Sequence, residues 1–195
     1  KKKRVTKSTY ISQLKKRKLD VQFVHGNLFT LDEDIDKLMQ DAKRIEKNLK
    51  TPFSTLVHGD FNVDNIIFQS ETDNMFLVDV HRSGYGDYAQ DISVFLVSNF
   101  RVPIFSIDVR SRLNEANQRV FECALAFAKK NEDKTFEARL ALGLFRSLIT
   151  STRFLLDQSF SEAMFQRAVL ILREILAEKD HLDQFSLNPS YFTYQ

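Results

Sequence analysis

Two short apolar runs separated by a polar turn are the feature that most constrains the fold of this chain. Ile66–Phe68 and Met75–Val78 have the β-branched and aromatic composition of strands, and Ser70–Asn74 between them has that of a turn. We therefore predict a β-hairpin. Asn65 lies directly before the first run and Asp79 directly after the second, so the hairpin should bring both side chains to its open end.

Asp60 lies in the polar segment that leads into this hairpin. Gly59 has no Cβ, so the backbone can turn tightly there and bring Asp60 close to Asn65 and Asp79. Oxygen ligands of this kind suit Mg²⁺, and phosphoryl transfer needs both a metal and a carboxylate that takes the proton of the acceptor hydroxyl. The alternative is that the three side chains are ordinary turn and strand-end residues without a shared site.

The motifs around these residues resemble those of the aminoglycoside phosphotransferase and choline kinase family. The matching segments are 57–68, 76–79 and 86–93, which contain a His-Gly-Asp, an Asn after four residues, a short hairpin, an Asp, and a Gly-Asp before a helix. The resemblance implies a protein-kinase-like fold, ATP as the phosphoryl donor, Mg²⁺ as the metal, and a hydroxyl group of a small molecule as the acceptor.

The resemblance also implies a role for each matching residue. Asp60 matches the catalytic aspartate, and Asn65 and Asp79 match the residues that bind the metal and, through it, the nucleotide. His58 also matches the motif and is grouped with these cofactor-binding residues. We expect it to position the backbone, in preference to acting as an acid or base. Asp91 matches a position that braces the catalytic loop through hydrogen bonds.

The remainder of the chain has mainly helical patterns, so the predicted fold class is α+β and mostly helical: a protein-kinase-like C-terminal lobe with a short catalytic β-hairpin. Thr30 and Glu33 form a capping-box pattern before a helix that runs to about Leu49. Residues 1–29 give a mixed pattern that does not predict an element. Further helices are predicted at 91–100, 110–130, 135–157 and 160–179.

We predict one domain over residues 1–195, with a basic opening segment at 1–30, a catalytic core at 53–100 and a helical subdomain at 104–195. No glycine-rich loop and no strand lysine precede the catalytic motif, so the N-terminal kinase lobe is expected to be missing from this chain and to act as its partner. Val80 and His81 replace the aromatic residue that often follows the metal-binding aspartate. His81 and Arg82 are then expected either to face the phosphates or acceptor, or to lie in a solvent-exposed loop.

Composition excludes several other classes of protein. The formal net charge is +2, and Cys123 is the only cysteine, so neither an intrachain disulfide nor a thiolate metal cluster can form. Its neighbours predict that Cys123 lies in a packed helix. No segment has the pattern of a membrane span or a signal peptide, which predicts a cytoplasmic protein that does not bind a membrane.

The preferred interpretation is an ATP-dependent phosphotransferase with a small-molecule alcohol as acceptor, incomplete in this chain. A non-catalytic kinase-like binding module is the alternative. The basic residues between Lys1 and Lys18 raise a third hypothesis, a polyanion-binding domain, but no nucleic-acid fold motif accompanies them and a solvated face explains them more simply.

Overall fold

The computed structural model describes residues 9–194, which form six α-helices and four short β-strands. The basic residues Lys1–Arg4 and Lys7 of the predicted opening segment lie outside this range. The helices are α1 (Tyr10–Val24), α2 (Ile35–Asn48), α3 (Tyr88–Phe100), α4 (Ile107–Lys130), α5 (Phe136–Ser151) and α6 (Gln158–Ala177). The strands are β1 (Thr55–Val57), β2 (Ile66–Gln69), β3 (Asn74–Leu77) and β4 (Gly84–Gly86). The α+β, mostly helical fold class is therefore confirmed.

Helix α5 forms the centre of the hydrophobic core. Every residue from Ala138 to Ile149 is buried, because α5 packs against α3, α6 and α1. A helix that is apolar on nearly all sides is typical of such a central position. At Gly143 a Cβ atom would lie 2.8 Å from the Cβ of Ser93, so glycine permits the close approach of α5 to α3.

The strands form two separate antiparallel pairs, β1 with β4 and β2 with β3. The β2–β3 pair is the predicted hairpin, with Ile66 opposite Leu77 and Gln69 opposite Asn74. Strand β4 has glycine at both ends, Gly84 and Gly86, a composition that is more typical of a loop than of a strand. Its pairing with β1 brings the segment after Asp79 back beside the segment before His58.

Helix α1 and the start of α2 differ from the sequence-based expectations. Residues Tyr10–Val24 form a regular helix although no element was predicted there. The predicted capping box is wrong, because Thr30 lies in a 3₁₀ turn, donates its hydroxyl to the carbonyl of Asn27, and α2 begins only at Ile35. Asn27 and Thr30 stabilise a turn instead of a helix end.

Two further differences concern the C-terminal helices. The helix predicted at 135–157 ends at Ser151 and continues as a 3₁₀ turn over Thr152–Phe154. Cys123 lies in α4 as predicted, but its side chain is exposed and does not pack in the core. No helix within residues 9–194 combines the length and the apolar character needed to cross a bilayer.

Candidate active site

The open end of the β2–β3 hairpin carries two of the predicted site residues. The backbone N–H of Val78 donates to the carbonyl of Asn65 at 3.0 Å, which closes the hairpin next to its last paired residues. Asn65 and Asp79 therefore flank the open end, as the sequence predicted. Asp79 has a left-handed backbone conformation (φ 58°), which is uncommon outside glycine, asparagine and aspartate and turns the chain sharply after β3.

The loop from His58 to Asn65 brings Asp60 next to Asn65. The side-chain Nδ2 of Asn65 donates to the backbone carbonyl of Asp60 at 2.9 Å. Because this contact fixes the amide nitrogen, Oδ1 of Asn65 points elsewhere, and no donor within residues 9–194 contacts it. A carboxamide oxygen without a donor, close to carboxylates, is a suitable ligand for a hard cation.

Gly59 allows the loop to pass against the segment that follows β3. Its φ is 87°, and a Cβ atom built there would lie 2.5 Å from the carbonyl oxygen of Arg82. Both the backbone conformation and the lack of space require glycine at this position. The tight turn predicted from the sequence is therefore present, and its close neighbour is Arg82.

Asp91, in the first turns of α3, braces the same loop. Its carboxylate accepts hydrogen bonds from the backbone N–H groups of His58 at 2.6 Å and Gly59 at 3.0 Å. Burial raises the pKa of Asp91, while the two N–H groups lower it by a smaller amount. The bracing contacts expected from the resemblance are confirmed.

His58 links the loop to the end of β3. Its ring Nε2 lies 2.9 Å from the carbonyl oxygen of Val78, so Nε2 carries the proton and donates it. Nδ1 is then the acceptor for the backbone N–H of Asp60, at a longer distance of 3.4 Å. Both ring nitrogens are engaged by backbone groups, which are the contacts of a positioning residue, and a contact of His58 with a nucleotide stays a prediction.

A chain of four side chains connects Asp79 to Asp60. His81 Nδ1 lies 2.5 Å from Asp79 Oδ1, and Arg82 Nε donates to His81 Nε2 at 3.2 Å. Arg82 Nη1 then pairs with Asp60 Oδ2 at 2.9 Å. Asp79 and Asp60 are thus linked through two basic side chains, and His81 and Arg82 are directed at these carboxylates although both are largely exposed.

The oxygen atoms at this end of the hairpin fit Mg²⁺ better than a tightly chelated transition metal. No group of three or more His, Cys, Asp and Glu side chains within residues 9–194 has the arrangement of a metal site. Mg²⁺ keeps several water or phosphate ligands and needs only one or two carboxylates from the protein. The Asp79 carboxylate and the Oδ1 atom of Asn65 match this requirement.

A cavity of about 640 Å³ has Asp60 in its wall. The other walls come from α1, the rest of the loop from His58 to Asn65, β4, α3 and the C-terminal part of α5 with the turn that follows. Asp60 therefore borders a cavity large enough for a small molecule.

A family model describes more than half of this chain, the segment with the loop, the hairpin and Asp91. Its match extends over residues 5–109 and carries the description "Ecdysteroid kinase-like family". The chain belongs to the ecdysteroid kinase-like family. Membership makes it a kinase-like protein related to phosphotransferases, a coarser relationship than the resemblance to aminoglycoside and choline kinases. No curated protein and no solved structure matches the chain.

Several residues near the site could not be assigned from the sequence. The pairing of Arg82 with Asp60 depends on the direction of a loop side chain, which no motif specifies. Lys16 on α1 and Arg146 on α5 line the cavity but lie far from the motifs along the chain. The only sequence pattern that could have indicated them was the excess of basic residues in the opening segment. That pattern did not predict that the Lys16 side chain would line a cavity.

Proposed function

We propose that this chain carries the catalytic residues of an ATP-dependent phosphotransferase that acts on a hydroxyl group of a small molecule. Asp60 is the base, and Asn65 and Asp79 are the ligands of Mg²⁺. The observation that supports this proposal most directly is that Asn65 donates to the carbonyl of Asp60, while His81 and Arg82 link the carboxylate of Asp60 to that of Asp79. Membership of the ecdysteroid kinase-like family supports the same class of reaction.

The geometry suits Asp60 to proton transfer. Arg82 holds Oδ2 at 2.9 Å, whereas Oδ1 has only a long contact of 3.4 Å with Asn62 Nδ2. The less engaged oxygen can orient a hydroxyl group in the cavity and accept its proton as the oxygen attacks the terminal phosphate. Oδ1 of Asn65 and the carboxylate of Asp79 would hold Mg²⁺, which would neutralise negative charge on the nucleotide phosphates.

We also propose that an N-terminal kinase lobe outside this chain covers the β2–β3 hairpin. Apolar side chains of the hairpin are unusually exposed, including Phe68 at 58% and Met75 at 66%. Large apolar side chains clustered on a surface are typical of an interaction site. A lobe placed there would also lie over Asn65 and Asp79, where a nucleotide is needed.

The central experiment replaces Asp60 with asparagine in the full-length protein. Turnover of Mg-ATP, measured as ADP release with water as the acceptor, should fall roughly a hundredfold to ten-thousandfold because the general base is lost. The change keeps the size of the side chain, so the midpoint of thermal unfolding should stay within a few degrees.

Asp64→Asn provides the matched control. Asp64 lies in the same loop, its side chain is 75% exposed, and it pairs with Arg101 at 3.3 Å. Equal turnover in the Asp60→Asn and Asp64→Asn variants would remove Asp60 from the mechanism. If Mg-ATP neither binds to the wild-type protein nor raises its unfolding temperature, the protein is a non-catalytic kinase-like module instead.

A further inference from the structure

The cavity beside Asp60 has a strongly positive lining. Of the described residues that line it, Asp60 is the only acidic one. The basic residues are Lys16, Arg17, Arg82, Arg101, Arg146 and Arg153. Because the net charge of the chain is only +2, this is a local concentration of positive charge and does not reflect the chain as a whole. A cleft lined by one sign of charge attracts ligands of the opposite sign.

Three of these cations already have a carboxylate partner. Arg17 pairs with Asp20 at 3.0 Å, while the pairs formed by Arg82 and Arg101 with loop aspartates were described above. No carboxylate within residues 9–194 lies at ion-pair distance from Lys16, Arg146 or Arg153. The cavity thus contains positive charge that the described part of the chain does not neutralise.

Arg146 is the most unusual of the three, because its side chain is only 9% exposed. Within residues 9–194 its guanidinium donates to neutral groups only: Nη1 donates to Gln13 Oε1 at 2.6 Å, and Nη2 donates to the hydroxyls of Ser147 and Ser93. Its Nε has no hydrogen-bond partner among these described residues. Burial of a charge without an ion-pair partner is costly, and the carboxylates of Asp60 and Asp91 offset that cost only from beyond ion-pair distance. An anion bound in the cavity would offset it further.

Arg153 places a second guanidinium at the same cavity. It lies 4.1 Å from the centre of the Phe154 ring, and the guanidinium of Arg101 lies 5.4 Å from the same ring. Cation–π contacts hold both groups in position without neutralising their charge. Burial lowers the pKa of Arg153, and repulsion from Arg17 lowers it further, so these cations are close enough to interact.

We propose that the phosphoryl acceptor of this protein carries an anionic group, a carboxylate, sulfate or phosphate, which binds at Lys16, Arg153 and Arg146. Its hydroxyl group then points toward Asp60, which lines the same cavity. This inference rests on the proposed function for the identification of the cavity as the acceptor site. It disfavours cationic acceptors such as aminoglycosides and choline, because the same field repels them.

The test measures sulfate binding to the full-length protein by titration calorimetry, with EDTA present and nucleotide absent. Chloride at equal ionic strength is the reference. Wild-type protein should bind sulfate, and Arg153→Gln should weaken binding by roughly tenfold or more, since hydrogen bonds to charged groups contribute that much. Lys16→Gln should also weaken it, and this exposed side chain on α1 can be replaced without disturbing the core.

Arg112→Gln is the control, since Arg112 is an exposed cation on α4 that does not line the cavity. Equal sulfate affinity in the Arg153→Gln and Arg112→Gln variants, or wild-type binding no stronger than that of chloride, would overturn the proposal. A repeat with saturating Mg-ATP distinguishes two ligands that could supply the anion, the acceptor and the nucleotide. Retained sulfate binding supports an anionic acceptor, whereas its loss assigns these cations to the nucleotide phosphates and contradicts the proposal.

The two proposals can fail separately. If sulfate binds with the predicted pattern but Mg-ATP does not bind, the anion site stands and the phosphotransferase assignment is wrong. If Asp60→Asn abolishes turnover but sulfate does not bind, the protein is a phosphotransferase whose acceptor is not an anion.

Discussion

At the scale of single residues, Gly59 determines whether the loop from His58 to Asn65 can take its observed path. The loop crosses the backbone of Arg82 at a distance that leaves no space for a Cβ atom. The backbone N–H group of Gly59 is also one of the two donors to the Asp91 carboxylate. A change at this position therefore affects both the conformation of the loop and the hydrogen bonds that hold Asp60 in place.

We expect Gly59→Ala to destabilise the protein by about 1–3 kcal/mol and to lower Mg-ATP turnover, because alanine is strained at positive φ and would collide with Arg82. Denaturant unfolding and ADP release measure the two effects. Gly26→Ala is the matched control, since a Cβ atom there would approach nothing closer than Gln22 O at 3.9 Å. Similar stability of the two variants would show that the contact with Arg82 does not constrain the loop.

The sequence could predict the positions of Asp60, Asn65 and Asp79 because their spacing relative to the hairpin determines where they lie. Asn65 and Asp79 must flank the open end of any hairpin formed by β2 and β3, and Asp60 is too near in the chain to lie elsewhere. The directions of the Arg82 and His81 side chains could not be predicted. They depend on the pairing of β4 with β1, and the glycines of β4 made it indistinguishable from a loop.

At the scale of secondary-structure elements, α1 shows why a helix can be missed. Its buried residues Tyr10, Ile11, Leu14 and Val21 are interspersed with exposed apolar ones, and Phe23 is 93% exposed, so no clear apolar stripe is visible. Its N-terminus is stabilised by a residue distant in sequence: Glu46 of α2 accepts a hydrogen bond from the backbone N–H of Ile11 at 3.1 Å. A negative charge at a helix N-terminus also interacts favourably with the helix dipole.

This contact predicts a pH-dependent effect of Glu46→Gln. Burial raises the pKa of Glu46 above 4.5, although hydrogen bonds from Ile11 and Tyr10 oppose the change. The folded state therefore binds this proton more tightly than the unfolded state does. Protonated Glu46 makes its full contribution to the free energy of unfolding below about pH 4.5, and that contribution is lost as the pH rises through the folded-state pKa. Relative to wild type, the glutamine variant should become more stable as pH increases from 4 to 7.

Denaturant unfolding of both proteins at several pH values tests this expectation. Glu122→Gln, at an exposed position on α4, controls for the loss of one negative charge. A stability difference between wild type and Glu46→Gln that stays constant over this pH range would show that burial does not raise the pKa of Glu46.

At the scale of the whole molecule, a buried ionic cluster joins α1, α3 and α5. Arg139 is fully buried and pairs with Asp87 at 2.8 Å and Asp133 at 2.7 Å. The hydroxyl of Tyr88 donates to Asp133, and that of Tyr10 donates to Asp87. Asp87 also caps α3, which carries Asp91, so the Gly-Asp pair identified in the sequence has a structural role.

We expect Arg139→Met to destabilise the protein by about 3–5 kcal/mol, because it leaves two buried carboxylates without their counter-ion. Arg119→Met is the control, since Arg119 pairs with Glu115 on an exposed helix surface, where such pairs contribute at most about 0.5 kcal/mol. Chemical denaturation gives both values. A loss below about 1 kcal/mol for Arg139→Met would mean that the cluster does not hold the three helices together.

Under the proposed function, the close approach of α5 to α3 at Gly143 has a consequence for how acceptor preference can diverge among related proteins. Helix α3 positions the loop from His58 to Asn65 through Asp91, and α5 supplies Arg146 and Ser147 to the cavity wall. Because a Cβ atom at position 143 would collide with Ser93, a larger residue there would push against the helix that carries this brace. Side-chain changes on α1 and in the turn at Thr152–Phe154 would instead alter the cavity without touching the brace.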